Sequence, residues 1–357
     1  MRMSLLLFAL LIVIVLCYSQ KSYDFSGVMG DRKQSDSCMI DDDGAAFVNK
    51  TRAFISPAEE TVIFIHACFG TFTYKRKDRQ GQRWGYGIKI LIDILNSIYS
   101  NEALLSKVES INIVSVGLSE ARKDAKRQIV AMNHPPSKRK KLKWLVACEE
   151  KYLFEFPTLA VMQEYTKYMH ANSNVLYLHT KGVRRNAILD TMITEWRRYM
   201  LYWTVDTVQN ICFKALDEYG FKTCGTLKRG GKQACYAGNY WWTKAGYFAW
   251  KQPSINSPAI DWRRRYNAEE YVLSNLSHSE HSNLHFCTHH THTIDMGNCH
   301  IPPKWYMLPS EQAEQNFLLT VKSRRRKMGD CFDGNKLPKN RTKDPNSWCH
   351  KNGYPIS

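Results

Sequence analysis

The stretch Asn174-Val175-Leu176-Tyr177-Leu178-His179-Thr180-Lys181-Gly182-Val183 decides the fold. Its first five residues carry no charge and read as a buried strand. An imidazole, a hydroxyl, an ammonium and a glycine then crowd the carboxyl end. Two runs of the same kind precede it, at 61–68 and 111–118. Between those two, Ile88, Leu91, Ile92, Leu95 and Ile98 recur at helical spacing. Ahead of the third run, Pro157 suits a helix first turn, and Leu159, Met162, Tyr165 and Met169 would form the buried stripe of a helix over 158–170. The order β-α-β-α-β predicts an α/β, Rossmann-like domain, a mostly parallel sheet flanked by helices. The charged segment 119–143, broken by Pro135-Pro136, reads as an exposed excursion.

Downstream, Leu189, Ile193, Trp196, Met200 and Trp203 share one helical face, and Val208, Ile211, Cys212 and Leu216 share another. Gly220 would close that second helix. A strand over 221–227 leads to the aromatic block Tyr236-Ala237-Gly238-Asn239-Tyr240-Trp241-Trp242. Adjacent tryptophans on a strand point to opposite faces, so both need not be core. A helix over 266–276 carries Glu269 and Glu270. The rest, rich in His, Cys and Pro, reads as disulfide-stapled loops with one helix at 310–327.

The N-terminus bounds the compartment. Arg2, an apolar run over 5–16 and small residues near Ser19 read as an export segment, either a cleaved signal peptide or a signal anchor. Asn49, Asn275 and Asn340 each open an N-x-S/T glycosylation sequon. Eleven cysteines, or ten without Cys17, suit an oxidising lumen. Cys224/Cys235, Cys287/Cys299 and Cys331/Cys349 are the attractive local pairs, with connectivity left open. The expected organisation is an export segment at 1–19, a stem at 20–58, an α/β domain at 59–300 and a Cys-containing extension at 301–357. Localisation would be the secretory lumen, as a Golgi type II membrane protein or a secreted one.

A formal charge of +17 over 357 residues suits anionic partners. Three basic runs, 138–141, 263–265 and 324–327, hold much of the excess, and such runs are commonly solvated loops. Four sets of residues can carry chemistry. At the end of a parallel strand, His179, Thr180, Lys181 and Gly182, with Arg184 and Arg185, could neutralise a diphosphate; the same residues also suit a packed strand-to-helix turn. Gly238, Asn239, Trp241 and Trp242 could shape a sugar pocket or be core. Glu269 or Glu270 could act as a base or be solvated. The late histidines, with His289-x-x-His292 spacing, could bind a metal or form a polar loop.

Taken together, Tyr177-Leu178-His179-Thr180-Lys181-Gly182-Val183, the Trp196 helix, the 236–242 block and Arg265-Tyr266-Asn267-Ala268-Glu269-Glu270-Tyr271-Val272 resemble a family of little-characterised eukaryotic glycosyltransferase-like proteins. They also look like bacterial polysaccharide glycosyltransferases in which His-Thr-Lys ends a strand. The resemblance covers roughly 60–275. It implies a GT-A-like nucleotide-sugar-binding fold, with His66 lining the nucleotide site, His179 and Lys181 facing the diphosphate, and Asn239, Trp241 and Trp242 around the sugar or acceptor. Many such enzymes hold Mn2+ or Mg2+ on an Asp-x-Asp at a strand end. Here Asp41–Asp43 is the sole Asp-x-Asp and precedes the first strand, so the cofactor stays unknown; Lys181 and the arginines, or a metal ligand such as His300, would substitute. The partners implied are a nucleotide sugar and a glycan or glycoprotein acceptor, with membrane contact only through the N-terminal segment and no nucleic acid. A non-catalytic carbohydrate-binding protein and a secreted metal-dependent hydrolase are the alternative readings.

Overall fold

In the computed structural model, residues 38–40, 58–69, 84–132, 134–149, 153–180, 190–226, 228–229, 235–236, 238–250, 252–255, 260, 264–273 and 285–287 are described. The three apolar runs form β2 (Thr61–Phe69), β3 (Val108–Gly117) and β5 (Asn174–His179). They pair in parallel, with β2 between the other two. Helix α1 (Trp84–Ser100) joins β2 to β3, followed by the short α2 (Glu102–Lys107). Asn101 caps α2, its side-chain carbonyl accepting from Leu104 N at 2.9 Å.

The segment 119–143 departs from the expected excursion. Helix α3 (Ser119–Ala131) buries Ala121, Ala125 and Ile129 against the sheet. The one-turn α4 (Pro136–Arg139) then leads into β4 (Leu142–Cys148), which pairs in parallel with β3. The basic run over 138–141 obscured the apolar strand that follows it. The expected stem also contributes to the fold: β1 (Cys38–Ile40) pairs antiparallel with β4, with Cys38 in register with Cys148.

Helix α5 (Phe156–Thr166), with Pro157 in its first turn, returns the chain to β5. After β5, α6 (Asp190–Leu201) continues into wider-turn π-helical segments, Tyr202–Asp206 and Gln209–Glu218. The widened turn has a local cause. Thr204 Oγ1 donates to Met200 O at 2.7 Å, and Thr204 O accepts the Trp242 indole N–H at 2.7 Å. Gly220, at φ +74°, closes the helix as expected. The remaining strands are β6 (Thr223–Gly225), β7 (Lys228–Arg229), β8 (Cys235–Tyr236), β9 (Trp241–Lys244) and β10 (His285–Cys287), with α7 (Ala245–Trp250) and α8 (Arg265–Glu270) beside them. The main sheet runs β1-β4-β3-β2-β5-β9-β6-β10, and β7-β8 form a separate ribbon. Strand β9 is antiparallel to both its neighbours, whereas β6 and β10 are parallel. The architecture is therefore α/β, a mostly parallel mixed sheet flanked by helices.

Alternation along the strands divides the apolar residues between two cores. Ile63, Ile65, Leu176, Leu178 and Trp242 face α1, α3 and the π-helical segments. Val62, Phe64, Val175, Tyr177 and Trp241 face α5, α7 and α8. Among the described residues no helix is long and apolar enough to cross a membrane.

A disulfide joins Cys212 to Cys224, with Cα atoms 5.5 Å apart. This corrects the expected Cys224/Cys235 pair: Cys224 bonds to Cys212, and Cys235 is buried outside that bridge. Cys212 sits on the helix that packs on β6, and this crossing brings it within bonding reach of Cys224. Cys148 is disulfide-bonded too. Of the other expected pairs, Cys299, Cys331 and Cys349 lie outside the described residues. Converting Cys212 and Cys224 together to alanine should lower unfolding stability by about 2–4 kcal/mol. Urea titration against the parent chain measures that loss, and unchanged stability would show that the bridge constrains little.

Candidate functional site

In an open α/β sheet the connections from two neighbouring strands diverge at the switch point, and a crevice opens beyond their carboxyl ends. Here β2 leads to β3 on one side while β5 leads to β6 on the other, so the switch point lies between β2 and β5. His66 and His179 are direct register partners across it. Both share strand parity with Val62, Phe64, Val175 and Tyr177, which places the imidazoles on the α5 face. Thr180 stitches the strand ends together. Its N–H donates to His66 O at 3.0 Å, and its Oγ1 accepts from Cys68 N at 2.9 Å.

Glu155, immediately before α5, completes the cluster. Its Oε1 lies 3.3 Å from His179 Nδ1, with both side chains buried. On the other side of the ring, His179 Nε2 donates to Gly238 O at 2.9 Å. A carbonyl only accepts, so Nε2 carries a proton. Burial alone would push the Glu155 carboxyl up, but the hydrogen bond and charge of His179, together with His66 and Arg265, hold it well below the usual carboxylate range. The ring thus bridges the Glu155 carboxyl, through Nδ1, and a turn carbonyl, through Nε2. His66 is the opposite case. Burial lowers its pKa from 6.5 to about 4, with Glu155 opposing and His179 reinforcing the shift. Its neutral ring meets Thr158 Oγ1 at 2.8 Å through Nδ1.

The aromatic block locks onto this cluster. Tyr240 Oη donates to His179 O at 2.7 Å, and the Tyr177 and Trp241 rings stack at 4.9 Å. Asn239, at φ +60°, accepts the Trp241 indole N–H on Oδ1 at 2.7 Å. Gly238 has φ +90°, and a Cβ there would lie 2.1 Å from Met200 Sδ, so only glycine lets the turn approach α6 this closely. Two buried polar atoms here, Glu155 Oε2 and Asn239 Nδ2, have no hydrogen-bond partner among the described residues.

The predicted site residues are therefore partly assembled. His66, His179, Thr180, Gly238 and Asn239 converge. Lys181, Gly182, Arg184, Arg185, His300, Asn49, Asn275 and Asn340 lie outside the described residues. Two expectations need correcting. Both ring nitrogens of His179 are occupied within the protein, so its imidazole does not face a diphosphate. Trp241 and Trp242 are each fully buried, one in each core, so neither offers a ring face to a sugar. Glu269 is held by Arg265, with Nη2 2.8 Å from Oε1. Glu270 is half-buried, and burial raises its pKa, with Arg264 opposing and Glu269 adding. Glu155, Thr158 and Arg265 were not anticipated. The position of Glu155, two residues before the proline of a helix first turn, was the available signal. The residues described here do not fit a Mn2+ or Mg2+ site: no group of three His, Cys, Asp or Glu among them could hold the ion.

Residues 87–250 match a family described as a domain of unknown function (DUF8361). The match runs from α1 to the end of α7, so it includes Glu155, His179 and the aromatic block, while His66 lies before it. No curated protein matches the chain.

The low pKa of His66 makes stability depend on pH. The unfolded chain takes up a proton below about pH 6.5 that the folded chain refuses until about pH 4. This contribution is complete above pH 6.5 and is lost as pH falls towards 4, at about 2 kcal/mol between pH 7 and pH 5. The Glu155 contribution, present above pH 4.5, declines only below that value. Urea unfolding at pH 7 and pH 5 should show the difference, and His66→Gln should flatten it. An equal pH dependence in the variant would contradict the assignment.

Proposed function

We propose that the chain is a glycosyltransferase of GT-A-like architecture, taking a nucleotide-sugar donor at the β2/β5 switch point and acting in the secretory lumen. One observation carries the proposal. The strand that ends in His179 and Thr180 lies beside β2 at the crevice-forming position, and Lys181-Gly182-Val183-Arg184-Arg185 follows it directly in the chain. A mostly parallel sheet with a reversed strand, β9, inserted between β5 and β6 is in keeping with the GT-A resemblance. The Cys212–Cys224 bridge suits an oxidising compartment.

In this reading the acceptor hydroxyl oxygen bonds to the anomeric carbon as the bond from that carbon to the diphosphate oxygen breaks. The nucleoside diphosphate leaves with the electron pair, and Lys181, Arg184 and Arg185 would stabilise its developing charge. The acceptor proton would pass to a carboxylate. Glu270, with its raised pKa, suits that task better than Glu269, which Arg265 already holds. His179 acts as a positioning residue, fixing the end of β5 and the Gly238 turn.

A second reading, a carbohydrate-binding protein without catalysis, draws support from the internal pairing of His179 and the burial of both tryptophans. Screening the secreted chain for nucleotide-sugar hydrolysis, with and without Mn2+, separates the two. The transferase reading expects turnover of at least one donor, and a fall of about 100-fold or more in Lys181→Ala with its thermal unfolding unchanged. Full activity in Lys181→Ala would remove that residue's role. Glycan binding without any nucleotide diphosphate binding would favour the second reading.

A further inference from the structure

The segment 119–143 holds nine Lys and Arg against two acidic residues, and neither the sheet nor the candidate site uses that excess. Its fold makes one surface of it. The side of α3 carrying Ala121, Ala125 and Ile129 is buried, which turns Arg122, Lys123, Lys126 and Arg127 outward. Arg139 Nη1 donates to Val130 O at 2.9 Å, bringing α4 against the end of α3. Lys126 Nζ lies 5.2 Å from the centre of the Trp144 ring, joining α3 to β4.

Part of this charge is spent locally. Arg127 pairs with Asp124 at 3.2 Å, Lys138 pairs with Glu102, and Lys141 donates to Val108 O. Arg122, Lys123 and Lys140 make no ion pair with an acidic group among the described residues, and the last two are exposed. They are spread over α3 and the end of α4 and do not converge on a point. α3 alone is about 20 Å long, so the face matches an extended polyanion better than a small anion.

We propose that this face binds a linear acidic polysaccharide, sulfated or carboxylated. The proposal does not rest on the transferase reading. Two features favour a polysaccharide over other polyanions. The large aromatics exposed among the described residues, Trp250 and Tyr266, belong to α7 and α8 across the sheet, so the face has no stacking platform for bases. Its exposed aliphatics, Leu118 and Val130, stand at opposite ends of α3 and form no continuous apolar stripe for a bilayer.

The test is fluorescence anisotropy of a heparin-derived oligosaccharide with the full chain, alongside phosphatidylserine vesicles and single-stranded DNA. The variant R122S/K123S/K140S should bind the oligosaccharide at least tenfold more weakly. A charge-matched control, R324S/R325S/R326S, should stay within twofold of the parent. Thermal melts establish that both variants fold. Equal weakening in the two variants would reduce the effect to net charge and overturn the proposal. Binding to vesicles or DNA but not to the oligosaccharide would overturn it as well.

Discussion

A buried carboxylate and a buried imidazole face each other at the end of β5, and the local structure is arranged around that pair. Glu155 enters from the connection before α5, His179 ends β5, and Gly238 O accepts from its Nε2. Three segments distant in sequence are tied at one ring. Such a pair is costly to desolvate, and removing one partner strands the other, at about 3–5 kcal/mol. Neighbouring His66 stays neutral chiefly because burial disfavours its charged form, with Glu155 opposing and His179 reinforcing the shift.

This constraint reaches outward through the aromatic block. With the Gly238 carbonyl fixed, Asn239 adopts φ +60°, Trp241 turns to stack on Tyr177, and Trp242 is sent through the sheet to the other core. There its indole N–H reaches Thr204 O within the widened helix. The block thus fastens the antiparallel β9 to the parallel half of the sheet, a structural task in place of the sugar contact its composition suggested. In the proposed transferase reading, donor contact would fall to Lys181, Arg184 and Arg185, which follow His179 in the chain.

The strands with uninterrupted apolar runs, β2, β3 and β5, were legible in the sequence, as were α1 and α5, because their periodicity reflects two-sided burial. β4 was hidden because its first residues share the basic run that precedes it. β1 is three residues long and carries no periodic signal. The site was legible only where residues cluster in the chain: His179-Thr180 and Gly238-Asn239 stand out, whereas Glu155 is a lone acid in an aromatic stretch. Its meaning depends on meeting a histidine 24 positions later, and no local pattern encodes such an approach. The disulfide shows the same limit. Cys235 is nearer Cys224 in sequence than Cys212 is, yet packing of the helix on β6 selects Cys212.

The central claim concerns protons, so the most direct measurement observes them. Two-dimensional NMR of the chain with 15N-labelled histidine at pH 7 reports the protonation of each ring nitrogen. The account predicts that His179 carries a proton on Nε2 that exchanges slowly with water. A bare Nε2 in the parent chain would contradict it.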